Sequence, residues 1–163
     1  MTTDAALAQH GLIDQTIQTI TVVLARARRR FELDSATTIR PVTVDETRLR
    51  TADAYETTVE GFIVRVASPE QAIVDALAEP NWIVHGDLLA EVLAALTEAE
   101  VARTASGSLG RTTAAAQRLG YLLEDAGRPL PASLAELRPV RAVRLRPQKH
   151  ARGPYSSRWR VYG

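Results

Sequence analysis

Residues Val66 to Leu77, reading Val-Ala-Ser-Pro-Glu-Gln-Ala-Ile-Val-Asp-Ala-Leu, constrain this chain most, because they specify both the exit of a strand and the start of a helix. Ser68 stands where a side-chain oxygen accepts from a first-turn amide, and Pro69 gives up only an N–H that a first turn leaves unpaired. Gln71 is placed to reach back and complete a capping box. The Glu79-Pro80 step then stops the helix, since the residue before a proline is driven out of the α region. A helix from about Pro69 to Ala78 is expected, with Asp75 in its middle. A partly buried carboxylate there must find Arg or backbone donors, which favours structural pairing over catalysis.

The flanking sequence supplies the other elements. Residues 3–10 suit a short helix, and the β-branched run Ile17–Leu24 reads as a strand. Arg26, Arg28, Arg29 and Arg30 follow it and read as a solvated edge that discourages strand pairing, ahead of a phosphate-binding role. Thr38–Val44 is a second strand, pushed to an edge or a bulge by Pro41, which cannot donate to a ladder. Thr57–Val59 and Phe62–Val66 flank Glu60-Gly61, a tight hairpin turn that would put Phe62, Val64 and Val66 on one face. Leu88, Leu89, Val92, Leu93 and Leu96 recur at helical spacing between Asp87 and Glu100.

A less regular helical turn from Ala99 to Ala105 should end in the breaker cluster Ser106-Gly107-Ser108-Leu109-Gly110. Another helix starts near Arg111, with Ala115, Leu119, Leu122 and Ala126 on one stripe. Gly120 admits a close neighbour to it, and Gly127 stands just past its end. After a turn at Ser133–Leu137, Val140–Leu145 and Ser157–Tyr162 read as two closing strands around a polar loop with Pro147, Gly153 and Pro154. Strands, then helices, then strands imply an α+β fold, a largely antiparallel sheet with three to four helices packed on one side. One domain over residues 1–163 accounts for the pattern, with 1–15 as an N-terminal extension and 138–163 as a basic strand pair.

Several chemistries are disfavoured. Without cysteine the chain forms neither disulfides nor thiolate metal sites. His10, His85 and His150 lie far apart with no partner at metal-ligand spacing, so no metal site is expected. There is no phosphate loop ending in Lys-Ser or Lys-Thr, and no Gly-x-Ser-x-Gly elbow. Glu124 and Asp125 are helix neighbours pointing about 100° apart, so they do not converge on one substrate. Catalytic residues and cofactors are therefore expected to be none, and the chain is not read as an enzyme. No apolar run approaches the roughly 20 residues of a membrane span, and Met1–Gln9 carries no basic residue, so a cytoplasmic protein without a membrane partner is expected.

Charge is divided along the chain. Residues 1–100 hold 8 Arg against 16 acidic residues, whereas residues 101–163 hold 12 basic against 3 acidic. Such asymmetry points to an anionic partner, or to the two halves facing each other. From Arg138 onward there is no acidic residue, and Arg141, Arg144, Arg146, Lys149, Arg152, Arg158 and Arg160, with Trp159, form the candidate partner- or anion-binding set. If Trp159 and Val161 point inward, Arg158 and Arg160 reduce to the solvent face of a strand.

The Val66–Leu77 segment, together with Gln117-Arg118-Leu119-Gly120-Tyr121-Leu122-Leu123-Glu124, resembles the C-terminal domain of AbiEi-type antitoxins. Ile20-Thr21-Val22-Val23 with its Arg cluster is similar to their entry into that domain, so the likeness runs from about residue 16 onward. The resemblance implies neutralisation of a nucleotidyltransferase-like toxin. In that family an N-terminal winged helix-turn-helix binds the promoter, and the 15 or so residues before the first strand are too few for it, so promoter binding is not carried over. The alternative is a nucleic-acid-binding transcriptional regulator that sets the Arg-rich surface on phosphates. Oligomeric state is left open.

Overall fold

The computed structural model describes residues 1–59, 61–146 and 153–163; Glu60 of the expected turn and Pro147 of the expected loop lie outside them. Helix α3 (Pro69–Ala78) has the limits its sequence dictates, with Ser68 Oγ accepting from the Gln71 amide at 3.2 Å. The reciprocal half of the capping box does not form. The Ser68 amide donates to the Asp53 carbonyl at 2.9 Å, so Gln71 is released to donate to Asp75 Oδ1 at 3.0 Å.

In chain order α3 is preceded by α1 (Thr3–Gln9), β1 (Thr19–Leu24), β2 (Phe31–Glu32), β3 (Thr38–Thr43), α2 (Glu46–Thr51), β4 (Ala54–Val59) and β5 (Phe62–Ala67). A first sheet has the order β1-β3-β2, with β1 parallel to β3. Strand β2 reaches only Thr38 and Ile39, so Pro41 has a strand neighbour on the β1 side alone and its missing donor costs no ladder bond to β2. Strands β4 and β5 make the expected hairpin, turned by Gly61 at φ +84°. Residues 1 and 2 join the hairpin to the first sheet: Ala67 N donates to Met1 O at 3.0 Å and Thr2 N to Thr21 O at 3.1 Å.

Beyond α3, a 3-10 turn (Gly86–Leu88) leads into α4 (Leu89–Ala95), α5 (Glu98–Arg111) and α6 (Thr113–Asp125). Two expectations are corrected here. The periodic stretch from Asp87 to Glu100 is split at Leu96–Thr97, because Thr97 opens α5 with a full capping box. Its amide and hydroxyl donate to Glu100 Oε2 at 2.7 and 2.6 Å, and Glu100 N returns a bond at 3.3 Å. Helix α5 then runs straight through Ser106–Gly110. A Cβ at Gly107 would stand 3.1 Å from Val74 Cγ2, and Ala105 and Ser108 are buried, so the small residues bring α5 close to α3 and do not end the helix.

The chain closes with α7 (Ala132–Ala135), β6 (Val143–Arg144), β7 (Tyr155–Ser156) and β8 (Val161–Tyr162). The last three form a sheet of order β6-β8-β7. The two long closing strands are thus reduced to short pairings, with Ser157–Arg160 in a turn. The α+β class and the majority of antiparallel pairings are as expected, but the strands form three sheets and the described residues hold seven α-helices. Leu7, Ile73, Leu77, Leu93, Leu119, Leu123, Leu134 and Trp159 lie in one buried cluster, whereas Ala126 is exposed. No described helix is long and apolar enough to cross a membrane.

Removing the α5 cap in Thr97→Ala should cost about 1 kcal/mol of unfolding free energy in a urea titration, the usual value of a lost hydroxyl cap.

Candidate partner-binding surface

The described basic residues of the candidate set lie on or beside the third sheet, and helix α6 holds that sheet in place. Gln117 is 2 % exposed and spends both hydrogens of its amide on the incoming chain, donating from Nε2 to the Arg141 carbonyl at 2.8 Å and to the Trp159 carbonyl at 2.7 Å. One turn on, Gly120 leaves a gap that the Trp159 ring fills; a Cβ at Gly120 would fall inside that ring. The indole N–H donates to Glu124 Oε2. Arg118 donates from Nε to the Arg144 carbonyl at 2.7 Å and from Nη1 to the Leu77 carbonyl at 2.6 Å, so it ties the sheet to the end of α3. Desolvation lowers the Arg118 pKa, partly offset by Glu79.

Trp159 is therefore corrected as a binding residue. It is 1 % exposed, and its ring is the wedge that seats the sheet on α6. Arg158 pairs with Glu124 and lies over the Trp159 ring with its guanidinium carbon 5.1 Å from the centroid. Arg160 adopts φ +52° and donates to the Val140 carbonyl at 2.6 Å. Arg141, Arg144 and Arg146 are exposed, and with Arg160 they pair with no carboxylate among the described residues. Lys149 and Arg152 lie outside the described residues. Tyr155 and Tyr162, both exposed, pack on the same sheet with ring centroids 4.7 Å apart and planes tilted by 38°, an aromatic pair the candidate set did not include.

The acidic and basic halves meet in part. Arg103 pairs with Glu70, and Arg111 with Glu79, across the α3–α5 contact. Asp75 is structural, as its surroundings required: it accepts from Thr2 Oγ1 at 2.7 Å, Gln71 and Arg48 Nη2 at 3.1 Å. The Arg48 guanidinium also covers Trp82. Asp4 is buried and accepts the Val84 and His85 amides at 2.9 Å each, with the His85 ring 3.2 Å away. His10 meets the Ala67 carbonyl, and His150 lies outside the described residues. Among the described residues no group of three or more His, Cys, Asp or Glu is placed to hold a metal ion.

The described arginines thus stand on an α+β scaffold, on a sheet that α6 holds through Gln117, Arg118 and the Trp159 ring. Residues 1–125 match the family described as AbiEi antitoxin C-terminal domain, and the chain belongs to that family. The matched segment starts at residue 1, ahead of the residue 16 expected from sequence, and it ends before the basic sheet. A comparison with curated proteins finds no match. Among solved structures, the crystal structure of the RV2827C protein from Mycobacterium tuberculosis is similar at 18 % identity and a TM-score of 0.61, covering 98 % of this chain and 60 % of that one. At that identity the likeness is one of fold, and this chain spans about 60 % of the other's length.

Gln117→Leu keeps the side-chain volume but leaves two carbonyls without their donor. It should cost about 2 to 4 kcal/mol of stability in denaturant unfolding followed by tryptophan fluorescence.

Proposed function

We propose that this protein acts as an antitoxin that neutralises a nucleotidyltransferase-type toxin, by protein–protein contact or by indirect action. The observation that carries the proposal is membership of the AbiEi antitoxin C-terminal domain family. A nucleotidyltransferase fold gathers carboxylates around its metals, so an acidic surface is the natural counterpart of exposed guanidinium groups. Arg141, Arg144, Arg146 and Arg160 supply such groups on a backbone already fixed by α6, so little ordering is needed on contact. Lys149 and Arg152 belong to the same basic run in sequence and lie outside the described residues.

A second reading has its own support. The Tyr155–Tyr162 pair beside the arginines offers stacking faces next to cations, the combination that single-stranded nucleic acids use. A regulator of this kind would bind nucleic acid with affinity falling steeply as salt rises. A gel shift at low salt that shows no retardation of upstream DNA removes this reading.

The double variant Arg144→Glu/Arg146→Glu should weaken the complex with the toxin by about tenfold or more, and rising salt should weaken the wild-type complex, because opposed charges steer and hold the encounter. Pull-down and titration with the product of the neighbouring gene check both. Indifference to the charge reversal and to salt together contradicts docking through this face.

A further inference from the structure

The first sheet and the β4–β5 hairpin share no ladder and are joined at their base by residues 1 and 2. Helix α2 contributes Arg48 and Leu49 to the space that both line. That space is a half-open groove of about 1070 Å³, a large volume for a domain of this size. Its walls are aliphatic: Ile20, Val22 and Leu24 of β1 face Leu49 of α2 and Val64 of β5. These are side chains that normally close a core, yet the only fully buried residue of β1 is Thr21. At the lip Phe31 is 53 % and Leu33 59 % exposed.

The rim is cationic. Arg28 and Arg29 line one side and Arg65 the other, with Arg26 and Arg30 exposed next to them. None of these five is ion-paired with a carboxylate among the described residues. The two carboxylates of the lining are already engaged: Asp34 accepts the Ala36 and Thr37 amides at 2.7 Å each, and Asp75 is paired with Arg48. The Arg cluster after β1 thus overhangs an apolar cleft and is more than a guard on a strand edge.

We propose that this groove is a binding site for a partner protein's acidic segment, whose aliphatic side chains cover the β1 face while its carboxylates meet Arg28, Arg29 and Arg65. Charge complementarity selects this occupant. A duplex would satisfy the arginines and leave the aliphatic walls against water, and a neutral apolar segment would leave the cations unmatched. The site lies within the family-matched residues 1–125, apart from the basic sheet. It goes beyond the antitoxin reading and does not depend on it.

The probe is a fluorescein-labelled peptide of Leu, Val, Ser and Glu in which Glu supplies the only charges, compared with its Lys-for-Glu counterpart and with a labelled duplex DNA, on the full chain. The acidic peptide should bind at least about tenfold more tightly than the basic one. Phe31→Asp/Leu33→Asp, at exposed positions that folding tolerates, and Arg28→Glu/Arg29→Glu should each reduce that binding by a similar factor. Arg144→Glu/Arg146→Glu should leave it unchanged, so failure here and failure of the toxin contact are separable. Equal binding of both peptides overturns the proposal, as does binding retained in the lip variant. Displacement of the peptide by duplex DNA, or by cis-parinaric acid, assigns the groove to a nucleic acid or a small amphiphile and also overturns it. So does a dimer in sedimentation that Phe31→Asp/Leu33→Asp dissolves, which would assign the groove to a second copy.

Discussion

The contact between α6 and Trp159 decides what kind of object the C-terminal part of this chain is. Segments rich in arginine and free of acids ordinarily stay solvated, since they offer little apolar surface to bury. Here one indole drops into the gap left by Gly120, and Gln117 clamps the carbonyls on either side of the sheet. Burial of a large aromatic with its N–H satisfied by Glu124, plus two hydrogen bonds from the buried Gln117 amide, brings β6 and β8 into the hydrophobic cluster. The arginines on that sheet then point from a fixed backbone, which converts a charged run into a surface with a shape.

Charge is also sorted by structure and not only by sequence. Arg103 and Arg111 neutralise Glu70 and Glu79 of the acidic half, and Arg118 and Arg128 spend their donors on carbonyls at helix ends. Among the described residues, the arginines left without a carboxylate partner include two groups, one on and beside the C-terminal sheet and one from Arg26 to Arg30. Each lies beside apolar surface that is exposed, Tyr155 and Tyr162 in one case and Phe31 and Leu33 in the other. Unpaired cations beside exposed apolar groups are what an interface needs on both counts, because one supplies approach and register and the other supplies desolvation energy.

How much of this was legible in the sequence depended on the range of each interaction. Helix α3 and the Gly61 hairpin are set by neighbours within a few residues; α3, the turn and β5 lie within about a residue of the expected limits, while β4 begins three residues earlier, at Ala54. The start of α5 was equally local. Thr97-Glu98-Ala99-Glu100 spells a capping box, and the apolar period running across it concealed the break. The Ser106–Gly110 run was misread because a glycine that ends a helix and one that lets a helix approach a neighbour look alike until the neighbour, Val74, is known. Gln117 carried no signal at all, since the carbonyls it holds lie 24 and 42 residues further on. The sequence leaves open whether Trp159 binds or packs for a similar reason: its cavity is made by Gly120, a residue on another element.

The most direct test of the account is native-state hydrogen exchange on the free chain, read at the amides of Val143 and Leu145. These donate to Arg160 O at 2.8 Å and Tyr162 O at 2.9 Å, so they exchange only when β6 separates from β8, a two-residue pairing that resists opening only while α6 holds it. If the sheet is part of the core, both amides exchange as slowly as those of α6 and open with the same free energy. Exchange at the rate of an unstructured chain would show a detached basic tail and contradict the account.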